Sequence, residues 1–354
     1  MPDWSQGMTQ TYEFFEVDPV SWVDACKLEY VTSASIERDE ENDTLGSASF
    51  DSSEELGEIY VRIYLKTIQN GNEERTPLGT FLIQTPHDKF DGKVHSFSYD
   101  AYTPLLELKD AMVPIGYYIP KDENIMKAAY AILDNVLRTP CVEGKAEDEL
   151  KENFIAEESD NYLTYLTDLI ASADHKFGLD ELCRVIFVKN QDLAAMQPVW
   201  TYDDGNSSIL YSDASRERDL YGIPNVVEVV YSGAGDGTKY IRIVNDDPDS
   251  PTSTVTRGRE IIYRETSPDV TGLPSDEEME QYATKLLRDL STLEYTISYK
   301  HGYCPVRLGD CVMINYSRAG YSNIKAKVIS QSISCEPGCP VDETAVYTVK
   351  MWEG

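Results

Sequence analysis

The chain has 354 residues, and its 62 Asp and Glu residues against 31 Lys and Arg residues give a formal net charge of −31. Hydrophobic residues make up 41% of the sequence, which indicates folded cores in about two or three domains and excludes a disordered chain. The acidic residues are spread along the chain, and such a surface excludes proteins that hold duplex DNA through basic patches.

The first hundred residues are rich in strand patterns. Asn70 and Gly71 form a hairpin signal between two runs in which aromatic and β-branched residues alternate with polar ones. Close spacing of these runs predicts antiparallel pairing in a small β-barrel or sandwich. The family resemblance given below favours a tube-like β-barrel over residues 1–105. The predicted strands are 30–36, 47–50, 58–65, 78–83 and 94–99.

A helical pattern follows residue 100. Apolar residues share one face over residues 123–137, and Pro140 lies just beyond the predicted helix end. A second apolar stripe begins near Asp160, and a strand is predicted at 183–188. The acidic segment between the two helices is predicted to be a surface loop. Residues 106–216 are therefore expected to form an α+β insert, and its lateral placement is implied by the family resemblance given below rather than by periodicity.

Strand patterns return near the end of the chain, interrupted by one long helix. Ser275 and Glu278 form a capping-box pattern ahead of a helix over 276–292. We expect a second small β-barrel built from 217–245 together with 293–354. Its tube-like form, and the placement of 246–292 in the lateral region, are implied by the family resemblance given below. The predicted fold class is therefore α+β and mainly β. The predicted strands are 226–231, 239–244, 295–299, 311–316, 324–331 and 345–352.

Targeting signals are not evident in the sequence. No run of about 18 apolar residues predicts a membrane span, and residues 1–16 are acidic and aromatic, unlike a signal peptide. The seven cysteines are an odd number scattered along the chain, which predicts free thiols rather than a disulfide framework. We therefore expect the protein to be made in the cytoplasm.

Three patterns resemble ligand sites without their full context. The glycine-rich segment 233–237 joins two predicted strands instead of opening a helix, so a hairpin loop is predicted there rather than a phosphate cradle. Asp246, Asp247 and Asp249 lack EF-hand spacing, and a solvated loop is predicted. A zinc site would draw on Cys304, Cys311, Cys335 and Cys339, but these cysteines lack the paired CxxC knuckles of such sites. No metal or cofactor is therefore predicted.

Catalytic motifs are also missing. The four histidines, His87, His95, His175 and His301, are isolated in the sequence, and no HExxH helix or GxSxG elbow occurs. Carboxylates are so abundant that any two could be paired as a glycosidase dyad, which makes such a pairing uninformative. No catalytic residue is assigned, and the chain is not predicted to be an enzyme.

The order of several short segments resembles hub proteins of phage tails. These proteins are baseplate hub, tail-associated hub or minor tail proteins of phages of Gram-positive hosts, and the hub fold also occurs in contractile and siphophage tails. The resemblance covers nearly the whole chain and depends on order and spacing rather than on one motif. The segments are PLGTFLI at 77–83, FSYDAYTPLL at 97–106, GIPNVV at 222–227, NDDPDSPTST at 245–254, GR at 258–259 and LGDCV at 308–312.

The resemblance implies a structural role in a virion. A hub of this kind is typically a trimer with two tube-like barrels per subunit, so that six barrels form a pseudo-sixfold ring continuing the tail tube. Its implied partners are itself, distal tail or tube ring proteins, the end of the tape-measure protein and tail-tip fibre or spike proteins, with DNA only in transit and no membrane. Larger relatives carry a carboxy-terminal fibre, peptidase or lysozyme domain, and this chain resembles the hub module alone.

The acidic surplus suits a channel for DNA, because carboxylates repel phosphates whereas lysines would trap them. We expect part of this surplus to face the channel or a neighbouring ring. The alternative is that these acids only solubilise the outer rim. The candidate residues are Glu37, Asp39, Glu40, Glu41, Asp43, Glu54 and Glu55.

Two other functions remain as alternatives. A carbohydrate-binding β-module at the virion tip would use exposed members of the 24 tyrosines as stacking platforms during host adsorption. An enzyme acting on cell wall would need a nucleophile, a metal or a poised acid, and we expect no such activity.

Overall fold

A computed structural model describes residues 2–144, 146–233, 237–266 and 275–353. The protein is mainly β, with 45% strand and 15% helix. It divides into two compact units: unit 1 contains Met1–Ala214 and Ser298–Ala345, and unit 2 contains Ser215–Ile297 and Val346–Gly354. Residues 234–236 of the predicted glycine-rich loop lie outside the described residues. The predicted domain limits at 105, 216, 245 and 292 stay predictions.

The secondary structure consists of many strands and few helices. The strands are β1 (Thr9–Val17), β2 (Asp24–Lys27), β3 (Val31–Asp39), β4 (Gly46–Ser52), β5 (Tyr60–Gln69), β6 (Asn72–Phe90), β7 (His95–Tyr102), β8 (Tyr118–Ile119), β9 (Phe154–Ile155), β10 (His175–Leu179), β11 (Val185–Lys189), β12 (Trp200–Asp203), β13 (Leu210–Arg218), β14 (Val226–Gly233), β15 (Gly237–Val244), β16 (Ile262–Glu265), β17 (Thr292–Gly302), β18 (Cys311–Asn315), β19 (Ile324–Ser334) and β20 (Pro340–Lys350). The helices are α1 (Leu106–Asp110), α2 (Ile125–Val136), α3 (Tyr162–Ala171), α4 (Thr254–Arg257) and α5 (Asp276–Leu290), with a 3-10 turn at Ser317–Ala319. No helix within the described ranges is long and apolar enough to cross a bilayer.

Unit 1 is built on a sheet of 13 strands in the order β13-β17-β20-β19-β3-β4-β7-β6-β5-β1-β2, with β18 pairing with both β19 and β12. Neighbours from β1 to β7 pair antiparallel, whereas β12 and β18 are parallel. Within the described ranges no sheet closes into a barrel, so the prediction of two closed barrels is not confirmed. Among the described residues the main strand order ends at the edge strands β2 and β13, and the branch through β18 ends at a third edge strand, β12.

The centre of this sheet is buried on both faces. In β5 the side chains of Val61, Ile63 and Leu65 enter the main core, while Tyr60 packs on the opposite face against Trp22 with ring centroids 4.9 Å apart. Arg62 is only 3% exposed on that same face. Its guanidinium donates to Asp24 Oδ1 at 2.8 Å, to Thr80 Oγ1 at 2.9 Å and to the Trp22 carbonyl at 3.2 Å. A charged side chain is tolerated there because its donors are satisfied.

The helices α2 and α3 form a second core with β10 and β11, and we call residues 106–190 the insert. Each helix begins at an asparagine cap: Asn124 accepts from the Lys127 N–H and Asn161 from the Thr164 N–H. Both helices were predicted, and α2 ends before Pro140 as expected. The predicted acidic surface loop between them is anchored inside the core by Leu150, which is 6% exposed.

Unit 2 contains a three-stranded sheet, β15-β14-β16, covered on one face by α5. β14 pairs antiparallel with β15 and parallel with β16. The predicted capping box is present, since Ser275 Oγ accepts from the Glu278 N–H and the Glu278 carboxylate accepts from the Ser275 N–H. The core between helix and sheet is formed by Val227, Val229, Tyr231, Met279, Ala283 and Leu287.

Candidate functional site: the acidic turn and the adjoining cleft

The hairpin of β3 and β4 carries five of the seven predicted acidic residues, two at the end of β3 and three in the turn that follows. The turn is held by short polar bonds: Asp39 Oδ1 accepts from the Glu41 N–H at 2.9 Å, and Asn42 Oδ1 accepts from the Thr44 N–H at 3.0 Å. Gly46 begins the return strand with a φ of +144°, and a Cβ there would lie 2.2 Å from the Glu37 carbonyl oxygen. Only glycine fits this approach, so the hairpin and its acids are held in one arrangement.

The turn forms one wall of a cleft of about 620 Å³ in unit 1. The structure brings Glu37, Glu40, Glu41 and Asp43 to this cleft. Asp39 is used within the turn itself. Glu54 and Glu55 lie beyond the end of β4, exposed and away from the cleft lining. The predicted set is therefore split between two places on unit 1.

Two lysines neutralise Glu40. Lys327 Nζ lies 2.7 Å from Glu40 Oε2, and Lys176 Nζ contacts Glu40 Oε1. Burial of Lys176, together with the neighbouring Lys327 ammonium, lowers the pKa of Lys176 to about 8. Because one carboxylate faces two cations, this part of the acidic turn contributes no net negative charge to the cleft.

Other polar contacts join the insert to the rest of unit 1 around the cleft. Lys109 Nζ lies 3.0 Å from Asp43 Oδ2, and the Arg307 guanidinium contacts Glu181. Deeper in, the Thr80 N–H donates to Cys183 Sγ at 3.1 Å. The insert is therefore attached by ion pairs and a hydrogen bond around a cleft that is lined by both polar and apolar residues. Apolar lining residues are Leu45, Leu78, Phe81, Leu163, Phe177, Ile186 and Val188.

The titratable side chains that line the cleft differ in their protonation behaviour. Burial raises the pKa of the Cys183 thiol to about 11, so the thiol stays protonated and weakly nucleophilic at neutral pH. No described histidine lines the cleft. Burial also raises the pKa of Asp310, whose carboxylate accepts from the Arg307 N–H at 2.8 Å. These side chains can hold charged and apolar groups of a partner, but none is arranged as a nucleophile with its base.

A buried polar cluster between β12, β17, β19 and β20 is the site that sequence reasoning missed. Glu343 Oε1 accepts from the hydroxyls of Tyr299 at 2.5 Å and Tyr202 at 3.1 Å, and Oε2 accepts from Gln331 Nε2 at 2.6 Å. His301 Nε2 lies 3.5 Å from Glu343 Oε2, and both side chains have no exposed surface. His301, isolated in the sequence, is therefore one half of a buried ion pair.

The pair holds both groups in their charged forms. Burial acts to lower the pKa of His301, but hydrogen bonds to Cys304 and Glu343 outweigh it and raise this pKa to about 10. Burial acts to raise the pKa of Glu343, but the contacts with His301, Tyr299 and Gln331 keep it below its usual value. Because no solvent or substrate reaches the pair, its role is structural.

The residues weighed as metal ligands do not gather. Among the described residues no group of three or more His, Cys, Asp and Glu side chains could hold a metal ion. All seven cysteines are free thiols, four of them buried. In the acidic loop after β15, Asp247 Oδ1 accepts from the Asp249 N–H at 2.9 Å, and the buried Asn245 donates to Ser250 Oγ at 2.9 Å. That loop is fixed by its own polar contacts.

Comparisons with known proteins identify the fold through structure and not through sequence. No protein-family model matches the chain, and no curated protein matches it. The crystal structure of a tail protein from Neisseria meningitidis MC58 matches over 97% of each chain, with a TM-score of 0.60 and 13% identity. The 43 kDa tail protein of prophage MuSo2 from Shewanella oneidensis matches over 95% of this chain and 98% of its own, with a TM-score of 0.61 and 10% identity.

A chain of the Francisella PdpA-VgrG complex is also similar, with a TM-score of 0.54 and 9% identity. That match covers 99% of this chain but 53% of the other, so the shared fold is one part of a longer protein there. The chain therefore has a phage tail hub-like fold, and the predicted resemblance is confirmed at the level of the fold.

Proposed function

We propose that this chain is a structural hub protein of a phage tail baseplate or tip. It assembles as a trimer into a pseudo-sixfold ring that continues the tail tube and joins it to the distal tip. The observation that carries the proposal is the match to two phage tail proteins over at least 95% of this chain and of theirs. A match of the whole chain supports a shared architecture better than a match of one domain.

The open sheet of unit 1 supports assembly. Its edge strands β2 and β13 are mostly exposed and offer unpaired backbone groups at both ends of the strand order. Edge strands with free backbone groups pair readily with another chain. We propose that pairing between subunits completes the predicted barrels, one from residues 1–105 and one from 217–245 with 293–354, in the ring rather than in the single chain.

The acidic surface suits the passage of DNA. Glu41, Glu54 and Glu55 are exposed and make no ion pair with any residue that the structure describes, so no ion pair among these residues neutralises their charges. Glu40 is a weaker candidate for a residue that repels DNA, because Lys176 and Lys327 neutralise its carboxylate. The proposal places the free carboxylates at the channel or at the next ring, where they repel the phosphates of DNA in transit.

The remaining parts of the proposal follow from this role. The chain acts as a non-enzymatic virion component assembled in the host cytoplasm. Its partners are further copies of itself, tube ring proteins, the end of the tape-measure protein and tip fibres or spikes. The cleft beside the acidic turn, with its mixed apolar and charged lining, is a candidate contact for one of these partners.

The test is the mass of the purified chain by light scattering, with negative-stain images of the same peak. The proposal expects a particle of about three times 39.9 kDa with a central pore. Ring interfaces are heterologous, so a tail component is able to template the trimer, and the same measurement is repeated after mixing with purified tube and tip proteins. A chain that stays monomeric in both experiments contradicts the hub function.

A second candidate function, carbohydrate binding at the virion tip, is favoured by one groove in the insert. Tyr117, Tyr118 and Tyr162 line this groove of about 370 Å³, and Tyr118 is 53% exposed. Exposed aromatic rings provide amphipathic platforms of the kind that sugars stack on. A glycan array with the wild type and Tyr118→Ala tests it: binding lost in the variant supports this function, and no binding by either removes it.

A further inference from the structure

The hairpin of β6 and β7 continues beyond the sheet as a two-stranded ribbon, which we define as residues 89–96. β5 accompanies β6 only as far as the pair Tyr60 and Leu82, and β4 accompanies β7 only as far as Ser52 and Phe97. Within the described residues the outer part of the hairpin has no third strand. Every residue of the ribbon is exposed.

One face of the ribbon is aromatic. The rings of Phe90 and His95 stack with centroids 4.6 Å apart, and His95 also stacks on Phe97 at 6.2 Å. Phe90 is 57% exposed and Val94 at the turn is 62% exposed. A hairpin of two strands is marginally stable in water, and exposed apolar groups gathered at one place mark an interaction surface. The ribbon therefore has the features of an arm that binds a partner.

The charge of the ribbon differs from that of the chain. Asp88 faces His95, with 3.0 Å between Oδ1 and Nδ1, and Asp91 accepts the turn N–H groups of Lys93 and Val94. Neither Lys89 nor Lys93 forms an ion pair with a residue in the described ranges. The ribbon thus carries two unpaired ammonium groups in a protein with twice as many acidic as basic residues.

We propose that the ribbon docks on the acidic surface of a second copy of this chain. The ammonium groups of Lys89 and Lys93 meet carboxylates there, and Phe90 and Val94 are covered. Charge complementarity favours this occupant, because the chain itself presents a surface of net charge −31. The inference rests on the proposed function, since it names one interface of the proposed ring.

The experiment uses the full chain with the photo-crosslinker p-benzoylphenylalanine in place of Phe90. The matched control places it at Tyr221, an aromatic residue of unit 2 that is 92% exposed. We expect irradiation to give covalent dimers through position 90 and not through position 221, with mass spectrometry locating the second site in an acidic segment. Crosslinks made only to another tail component overturn the inference.

Charge reversal gives an independent measurement. The double variant Lys89→Glu with Lys93→Glu is expected to weaken self-association at least about tenfold in sedimentation, because like charges then meet across the interface. The control, Lys127→Glu with Lys151→Glu, makes the same change in net charge at exposed positions of the insert and is expected to leave association unchanged.

The outcomes separate the inference from the proposed function. A wild-type trimer that gives no crosslink at position 90 and survives the charge reversal overturns the inference and leaves the hub function standing. A wild type that neither associates nor crosslinks at any concentration also overturns the inference, while the hub function is then judged by mixing with tail components.

Discussion

Glu343 and His301 show how a charge is kept inside a β protein. Each is fully buried, and the carboxylate accepts hydrogen bonds from two tyrosines and one glutamine as well as facing the imidazolium. Water solvates neither charge, so each charge is stabilised by the other and the carboxylate also by these hydrogen-bond donors. Removing one partner leaves the other buried and uncompensated.

Glu343→Ala is therefore expected to lower the free energy of unfolding by about 3–5 kcal/mol. Urea denaturation followed by circular dichroism measures the change. Asp342→Asn is the matched control, because its carboxylate is 58% exposed and pairs with Lys300 at the surface, where a change below about 1 kcal/mol is expected. Equal losses in the two variants would remove the special role of the buried pair.

The pH dependence of stability follows from the two pKa shifts. The folded pKa of His301, about 10, lies above its ordinary 6.5, so its contribution is complete below about pH 6.5 and is lost as the pH rises through about 10. The folded pKa of Glu343 lies below its ordinary 4.5, so its contribution is present above that pH and lost as the pH falls further.

We expect the free energy of unfolding to fall between pH 7 and about 10 in the wild type. The double variant His301→Gln with Glu343→Gln keeps polar side chains but no charges, and its fall over this range should be smaller. Urea titrations at each pH measure both proteins. An equal fall of the unfolding free energy in the two proteins would show that other titrating groups dominate the loss of stability at alkaline pH.

At the level of single residues, part of the candidate site can be predicted from the sequence. Glu40 was in the predicted acidic set, but its partners lie 136 and 287 residues away, and only the tertiary fold shows that they neutralise it. His301 was findable, since it occupies an inward position in the alternation of β17 with Ile297 and Tyr299. A polar residue on the buried face of a strand signals a buried partner.

Helices and strands with a regular spacing of apolar residues are predicted well from the sequence, and strands without that spacing are missed. The helices α2, α3 and α5 and most strands were predicted because their apolar spacing and end signals agree. β1 was missed because adjacent Phe14 and Phe15 interrupt its alternation, although it pairs with β5 over nine residues. The pairing order of the strands depends on contacts distant in sequence, which local patterns do not contain.

The start of α5 depends on its capping box. Ser275→Ala removes the oxygen that accepts from the Glu278 N–H, and the expected loss is about 1 kcal/mol. Hydrogen exchange of the first turn of α5 should become faster, while the sheet beneath it changes less. Ser207→Ala, at an exposed loop position, serves as the control. An unchanged exchange rate in Ser275→Ala would contradict the importance of the cap.

The insert is held to unit 1 partly through Glu40. Glu40→Gln leaves Lys176 and Lys327 close together without a countercharge, and we expect a loss of about 1–2 kcal/mol with faster hydrogen exchange in β10. Asp43→Asn breaks the more exposed pair with Lys109 and is expected to cost less than about 1 kcal/mol. The idea fails if β10 exchanges at the wild-type rate in Glu40→Gln.

At the scale of the molecule, the strands were predictable but their closure was not. Sequence periodicity indicates which segments are strands, whereas a barrel also requires that the two edges of one sheet meet. Here the main strand order of unit 1 ends at β2 and β13, its branch ends at β12, and β14, β15 and β16 form a separate sheet. In the proposed assembly another subunit completes the sheet, and pairing between subunits is not encoded in local sequence patterns.

The net charge of −31 also predicts how the whole protein responds to salt. Self-repulsion among surplus carboxylates destabilises the compact state, and the screening length falls from roughly 30 Å at 0.01 M salt to about 8 Å at 0.15 M. We expect the thermal midpoint to rise with added NaCl over this range. A falling midpoint would mean that surface ion pairs outweigh the repulsion.

The burial of the cysteine thiols affects how readily the protein is oxidised. Burial raises the pKa of Cys183 and Cys339 to about 11 and of Cys141 to about 12, and oxidants attack the thiolate that these values make scarce. Cys26 is the exposed thiol, and its hydrogen bond to Glu16 raises its pKa as well. The protein is therefore expected to resist oxidation in air without added reductant, and slow damage is expected to begin at Cys26 on the edge strand β2.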